Sequence, residues 1–206
     1  AGQPPVLAFD YEIILDGRDF SRPVNYALVK ILDRRKVPRG PVQEPGVPKR
    51  PIVVIDPRAG HGPGIGGSKM DSEIGIALDK GHPVYFILYF MHPEPGQTLA
   101  DMVSAEEAFI EEVIRRHPDS GRPALIGNCQ GGWASALMCA EKPGLLGTLV
   151  MNGAPLSYWS GVKGANPMRY VGGLCGGVWV ADFLSDIGCG DFDGAYLVQN
   201  FECLNP

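Results

Sequence analysis

The chain has 206 residues, of which 45% are hydrophobic and 20% charged, and its formal net charge is −5. These proportions exclude intrinsic disorder and are typical of a globular chain with one substantial core. The negative charge argues against a nucleic-acid partner, and no apolar run approaches the roughly eighteen residues that span a bilayer. The five cysteines include no C-x-x-C pair, so we expect no metal, no cofactor, no disulfide framework and a reducing, cytoplasmic location.

Strand-like and helix-like segments alternate along most of the chain. Two strands at 5–15 and 24–32 are predicted to pair antiparallel, and a proline-rich surface loop follows at 38–51. The later predicted elements are a strand at 52–56, a helix at 71–80 closed by Gly81, a strand at 84–90, a helix at 99–116 with a capping box at Thr98, a strand at 124–126, a helix at 131–142 and a strand at 145–152. This order predicts an α/β fold, a doubly wound and mostly parallel sheet with helices on both faces.

The composition changes near residue 156. We predict a core domain at 1–156 and the beginning of a cap or lid at 157–206, a region rich in glycine and aromatic residues. Trp159 and Trp179 are candidates for the apolar walls of a site, or are ordinary core residues. The chain begins without Met and stops soon after a strand-like run at 195–201, so we expect it to be part of a longer protein.

A G-x-C-x-G-G motif with Cys129 at its centre lies between the strand at 124–126 and the helix at 131–142. At a strand-to-helix junction this motif predicts a nucleophile elbow with cysteine as the nucleophile, because glycines relieve crowding around the sharp turn. The helix N-terminus favours the thiolate, and the N–H group of Gln130 is a candidate oxyanion donor. The elbow glycines are Gly127, Gly131 and Gly132.

Two observations on the cysteines weigh against this interpretation. Cys129 is either a nucleophile or an inert buried cysteine, which is a common fate of that residue. Cys175 lies in a second match to the same pattern, but neither a strand precedes it nor a helix follows it. We therefore predict a structural role for Cys175.

The nucleophile needs a base, and the four histidines all precede Cys129. On this type of elbow the usual chain order is nucleophile, acid, histidine, so the base is expected either beyond Pro206 or from an earlier loop. His61 is the best internal candidate, because the loop after the strand at 52–56 should lie beside the elbow. We favour an oxyanion role for the backbone at His61 and Gly62 over a base role for His61. The remaining histidines are His82, His92 and His117, and the aspartates of the predicted cap are Asp182, Asp186, Asp191 and Asp193.

The same loop also matches the G-x-G-x-x-G pattern of dinucleotide-binding proteins, from Gly62 to Gly67. Alone this is a weak signal. The first glycine comes late after the strand, Pro63 removes a backbone donor, and the strand at 84–90 does not end in an acidic residue. Dinucleotide binding is therefore the less favoured interpretation.

The elbow resembles the cysteine-containing lipase box of polyhydroxyalkanoate synthases. More closely, the chain resembles an uncharacterised bacterial family described as poly(3-hydroxyalkanoate) synthetase-like, the domain of unknown function 3141. Besides the elbow, the matching stretches are FDYE (9–12), DPRAGHGPGIGG (56–67), GAPLSYW (153–159), NPMRY (166–170) and QNFE (199–202). The resemblance implies an α/β-hydrolase core with a cap, and an acid and a histidine that follow the cap beyond Pro206.

From the residues we expect Cys129 to attack an ester or thioester. The resemblance implies an acyltransferase that takes hydroxyacyl groups from a coenzyme A thioester through a covalent acyl-Cys129 intermediate. An esterase or thioesterase of the same fold remains an alternative, and so does a non-catalytic scaffold or granule-associated protein with a vestigial elbow. We expect the 206-residue chain alone to be inactive, and the sequence leaves its acyl-chain specificity and oligomeric state open.

Overall fold

The computed structural model describes residues 7–33, 48–58, 65–66, 72–157, 162 and 179–190. The chain divides into two compact units, Ala1–Ala154 and Pro155–Pro206. Several of the predicted features lie outside the described residues: His61, Gly62, Trp159, Cys175 and most of the proline-rich loop. The predicted cap at 157–206 stays a prediction.

The first unit is built on one six-stranded sheet. In chain order its strands are β1 (Tyr11–Asp16), β2 (Tyr26–Ile31), β3 (Ile52–Ile55), β4 (Val84–Tyr89), β5 (Ala124–Asn128) and β6 (Thr148–Asn152). The spatial order is β1-β2-β4-β3-β5-β6. β1 pairs antiparallel with β2, and β2 with β4, while β4, β3, β5 and β6 run parallel. The predicted mostly parallel sheet with an antiparallel N-terminal pair is confirmed.

Helices cover both faces of this sheet. Their bounds in the first unit are α1 (Glu73–Asp79), α2 (Leu99–Arg116) and α3 (Gln130–Glu141), and a short 3-10 helix, Gly17–Asp19, follows β1. The apolar face of α2, with Phe109 and Ile110 fully buried, belongs to a core cluster that also holds Met138 of α3. Ile74 and Leu78 of α1 belong to a second cluster, formed with alternate residues of the same strands. The central strands are thus buried on both faces, which explains their continuous apolar sequences.

Local chemistry sets the helix ends where the sequence predicts them. The Thr98 hydroxyl accepts a hydrogen bond from the Asp101 N–H, and the Asp101 carboxylate accepts one from the Thr98 N–H, which completes the capping box. Gly81 follows the last turn of α1 with φ of 75°, a conformation that glycine adopts without strain.

Most observed strands are shorter than their predicted segments, whereas β5 extends two residues past its predicted end at residue 126. β1 begins at Tyr11 instead of residue 5, and β6 begins at Thr148 instead of residue 145. Leu145 and Gly147 lie in the turn that leads from α3 into β6, where their N–H groups bond the carbonyls of Lys142 and Pro123. Apolar residues in such turns pack against the core without joining the ladder, so hydrophobicity alone extends the predicted strand too far.

The described part of the second unit contains one helix, α4 (Trp179–Ile187). Its large apolar side chains Trp179, Phe183 and Ile187 are exposed and recur every four residues. No helix among the described residues is both long and apolar enough to cross a bilayer.

Candidate active site

Cys129 occupies the sharp turn between β5 and α3, as the sequence predicts. Its backbone has φ of 49° and ψ of −117°, a combination that L-amino acids rarely adopt. The Cys129 N–H donates to the Asn152 carbonyl at 2.9 Å, and its own carbonyl accepts from the Gly132 N–H at 3.0 Å. These bonds fix the strained residue at the carboxyl end of the sheet, where a nucleophile elbow presents its side chain.

Each elbow glycine lies where a β-carbon would collide with a neighbour. A Cβ on Gly127 would lie 2.6 Å from the Gly131 carbonyl oxygen, and one on Gly132 would lie 2.4 Å from the Ala154 Cβ. A Cβ on Gly131 would lie 2.9 Å from the Ile55 side chain. The glycines are therefore required for the close approach of α3 to β5, β3 and the segment after β6.

The first turn of α3 is available to stabilise negative charge near Cys129. The first N–H groups of a helix have no partner within that helix, and Gln130 is the first residue of α3. Cys129 and Gln130 are both half-buried, so this turn is accessible from solvent. The three described cysteines, Cys129, Cys139 and Cys189, are free thiols, and burial raises the pKa of Cys139.

A polar network that the sequence pattern does not predict holds the residue before Cys129. Asn128 and Asn152 are register partners at the ends of β5 and β6, and the Asn152 side-chain amide donates to the Asn128 side chain at 3.0 Å. Both amides also donate to the Glu73 carboxylate of α1, at 2.8 Å from Asn128 and 3.4 Å from Asn152. The one signal of this network in the sequence is Asn128, a polar residue at a buried strand position.

A second turn with unusual backbone geometry follows β3, the strand beside β5. Arg58 has φ of 57°, and its N–H donates to the carboxylate of Asp56 at 2.8 Å. The turn directs the Arg58 side chain inward, where it is only 7% exposed. The sequence pattern predicts no function for Arg58, because an arginine in a loop is ordinarily solvated.

The buried Arg58 guanidinium pairs with a carboxylate and lies among aromatic rings. Its Nη2 donates to Glu106 of α2 at 3.1 Å, and Glu106 is completely buried. The Arg58 Cζ lies 4.9 Å from the ring centre of Tyr26 and 5.4 Å from that of Trp133 in α3. Burial raises the pKa of Glu106 to about 7, an effect that nearby Arg58 only partly offsets.

The described histidines lie away from the elbow turn. His82 contacts the Arg50 carbonyl through Nδ1 at 2.8 Å, before β4 begins, and His117 contacts the Tyr85 hydroxyl at 2.8 Å at the end of α2. His92 is exposed in the loop after β4, two strands from β5. Within the described ranges, no three His, Cys, Asp or Glu side chains are grouped so that they could hold a metal ion.

The strand order and the elbow together identify a fold of the α/β-hydrolase type. Solved structures similar to this chain include a carboxylesterase of Nitrososphaera gargenis, at 20% identity and a TM-score of 0.48 over 73% of this chain and 47% of that one. Another is a putative lipase of Acinetobacter baumannii, at 11% identity and a TM-score of 0.44 over 88% of this chain and 54% of that one.

A curated relative described as an uncharacterized protein in the ackA 5′ region of Rhizobium meliloti is 54% identical over 204 residues. The match covers 98% of this chain and 27% of the relative, so the chain spans about a quarter of the relative's length. Neither this description nor that of the family names an activity, and the likeness to polyhydroxyalkanoate synthases stays a prediction. The model of the family described as "Protein of unknown function (DUF3141)" matches residues 1–206, and the chain belongs to that family.

Proposed function

We propose that this chain carries the nucleophile of an acyl-transferring enzyme, with Cys129 forming a covalent thioester with the acyl group. The observation that supports this most is the backbone of Cys129, whose φ of 49° and ψ of −117° occur in a turn packed around three glycines. Such strain is retained where it presents a side chain for chemistry.

The proposed first step is attack on an ester or thioester carbonyl. The Cys129 thiolate forms a bond to the carbonyl carbon, and the carbonyl π electrons move to its oxygen. The N–H of Gln130 stabilises that oxyanion, together with the loop backbone at His61 and Gly62. Collapse of the tetrahedral intermediate re-forms the carbonyl, expels the alkoxide or thiolate leaving group and leaves the acyl group on Sγ.

The molecule that takes the acyl group from Cys129 decides whether the enzyme is a transferase or a hydrolase. We propose a hydroxyacyl thioester, such as a hydroxyacyl-coenzyme A, as the donor and a hydroxyl group as the acceptor. A cysteine suits this exchange because an acyl group passes between two sulfur atoms with little change in bond energy. Water as acceptor gives an esterase or thioesterase, and the solved structures of a carboxylesterase and a lipase support this alternative only through the shared fold.

The thiol proton also needs an acceptor. We propose that it is either His61 or a histidine in the part of the longer protein that this chain does not span. We favour the second of these, because no histidine follows Cys129 in this chain, and we therefore expect the 206-residue chain alone to form no product. The free thiols at the three described cysteines support a reducing, cytoplasmic site of action.

Alkylation of Cys129 tests the nucleophile directly. Iodoacetamide labelling is followed by mass spectrometry from about pH 5 to pH 10, with exposed Cys189 and half-buried Cys139 as internal controls in the same chain. We expect Cys129 to label faster than both controls. A Cys129 profile that matches Cys189 would contradict the proposal.

Trapping the acyl-enzyme separates the three candidate activities. The full-length protein is mixed with 3-hydroxybutyryl-coenzyme A, and its intact mass is compared with that of the Cys129→Ala variant. A growing acyl chain on the wild-type protein supports a transferase, whereas free acid with no accumulated polymer supports a hydrolase. Equal behaviour of wild type and variant, with both folded, would support the scaffold alternative.

A further inference from the structure

The buried ion pair between Arg58 and Glu106 contributes less to stability than apolar side chains of the same volume would. Only one hydrogen bond joins the two side chains, and within the described residues the Arg58 Nε and the Glu106 Oε2 have no hydrogen-bond partner. Apolar side chains of similar volume often replace such buried pairs without loss of stability, since they carry no desolvation cost. The strained φ of Arg58 adds to that cost. Packing alone therefore does not explain this pair.

Arg58 connects the turn after β3 to α2 and to α3. Its backbone lies three residues after the end of β3, at the start of the segment that contains His61 and Gly62. Its guanidinium bonds α2 through Glu106 and faces the ring of Trp133, four residues after Cys129 in α3. One planar cation thus contacts both the helix that follows the nucleophile and the helix that packs beside it.

We propose that Arg58 is a positioning residue for the nucleophile elbow, acting through Trp133 on the first turn of α3. This inference rests on the proposed function of Cys129 and names a residue on which its reactivity depends. By holding Trp133, Arg58 fixes the direction of the first N–H groups of α3 relative to the Cys129 sulfur. These groups both favour the thiolate and bind the oxyanion, so small misplacements of the turn reduce reactivity.

An ion pair between α2 and the residue after α3 provides a control. Lys142 directly follows α3 and bonds Glu107 of α2 at 2.9 Å; Glu107 is 8% exposed, whereas Lys142 is 45% exposed and also bonds Glu111 at 3.0 Å. This pair ties α2 to the end of α3 farthest from Cys129. It lies about 18 Å along the helix from the elbow, at about 1.5 Å per residue.

The experiment compares two double variants of the full-length protein, Arg58→Met/Glu106→Leu and Lys142→Met/Glu107→Leu. Each replaces an ion pair by apolar side chains of similar length. The readouts are the urea-unfolding midpoint and the pH profile of iodoacetamide labelling at Cys129. A purely structural role would change the unfolding midpoint and leave the pH profile unaltered.

We expect the Arg58→Met/Glu106→Leu variant to label at Cys129 roughly tenfold more slowly at pH 7. The control variant should keep the parent profile. An unchanged profile in the first variant, or an equal change in both, overturns the inference while leaving the proposed function intact. A parent Cys129 that labels like an ordinary thiol overturns both.

A milder variant keeps the test decisive if the double variant does not fold. Arg58→Lys preserves the charge beside Glu106 but lacks the planar guanidinium that faces the Trp133 ring. We expect it to fold and to show the same slower labelling of Cys129 at pH 7. A parent-like profile in folded Arg58→Lys overturns the inference.

Discussion

Replacing Glu106 by glutamine should change how the stability of the protein depends on pH. Glu106 is completely buried, and burial raises the pKa of its carboxyl to about 7 from an ordinary value of 4.5. At pH values between 4.5 and about 7, the folded state holds a proton on Glu106 that the unfolded state has released. Stability therefore falls as the pH rises through this window, whereas the glutamine variant has no group there to titrate.

The expected size of the effect follows from the same two values. The gap between 4.5 and about 7 corresponds to about 3 kcal/mol when the carboxyl is fully ionised, at about 1.4 kcal/mol for each pH unit. Part of this cost is already present at pH 5.5. Between pH 5.5 and pH 8 the free energy of unfolding of the parent should fall relative to Glu106→Gln by about 2 kcal/mol.

Urea unfolding at these two pH values measures the difference. Glu112→Gln on the same helix is the control, because Arg115 and Arg116 lower the pKa of Glu112 to about 2. Glu112 is ionised in both folded and unfolded states above pH 5.5, so its variant should keep a constant difference from the parent. A constant difference for Glu106→Gln as well, or one that grows in favour of the parent with pH, would refute the reasoning.

Three further substitutions test the elbow and the helix ends by urea unfolding. Gly132→Ala places a Cβ 2.4 Å from the Ala154 Cβ and should cost about 1–3 kcal/mol, so unchanged stability would contradict the packing described. Thr98→Ala removes the cap of α2 and should cost about 1 kcal/mol, while exposed Ser104→Ala on the same helix should cost nothing measurable. Glu73→Gln turns one acceptor of the asparagine network into a donor and should cost roughly 1 kcal/mol; a gain in stability would argue against the network.

Much of the fold follows from local sequence patterns. Continuous apolar runs such as 84–89 can only be buried on both faces, and the 3.6-residue spacing in α2 leaves one apolar face. β3 pairs with β5 in register, so the two strands are neighbours, while most of the loop after β3 lies outside the described residues and its place beside the elbow stays a prediction. That prediction could be made because the predicted right-handed crossovers permit few strand orders.

The polar contacts around the elbow could not be predicted in the same way. Arg58 and Glu106 are 48 positions apart, Glu73 and Asn128 are 55, and Glu73 and Asn152 are 79. Glu106 lies on the apolar face of α2, four residues after Met102 and three before Phe109, but helical spacing does not identify the partner of a buried carboxylate. Side-chain pairs of this kind depend on tertiary placement rather than on propensity or period.

Backbone strain in the turns after β3 and β5 favours the carboxyl edge of the sheet as the candidate active site. Among the described residues, three other than glycine have positive φ, and two of them, Arg58 and Cys129, follow the neighbouring strands β3 and β5. Each such residue costs about 1–3 kcal/mol and persists only where its surroundings enforce it. At the opposite edge, His82 and His117 make ordinary hydrogen bonds in turns before β4 and after α2. Because both strained turns meet the first residues of α3, the cost is concentrated where the proposed mechanism requires support for a thiolate and an oxyanion.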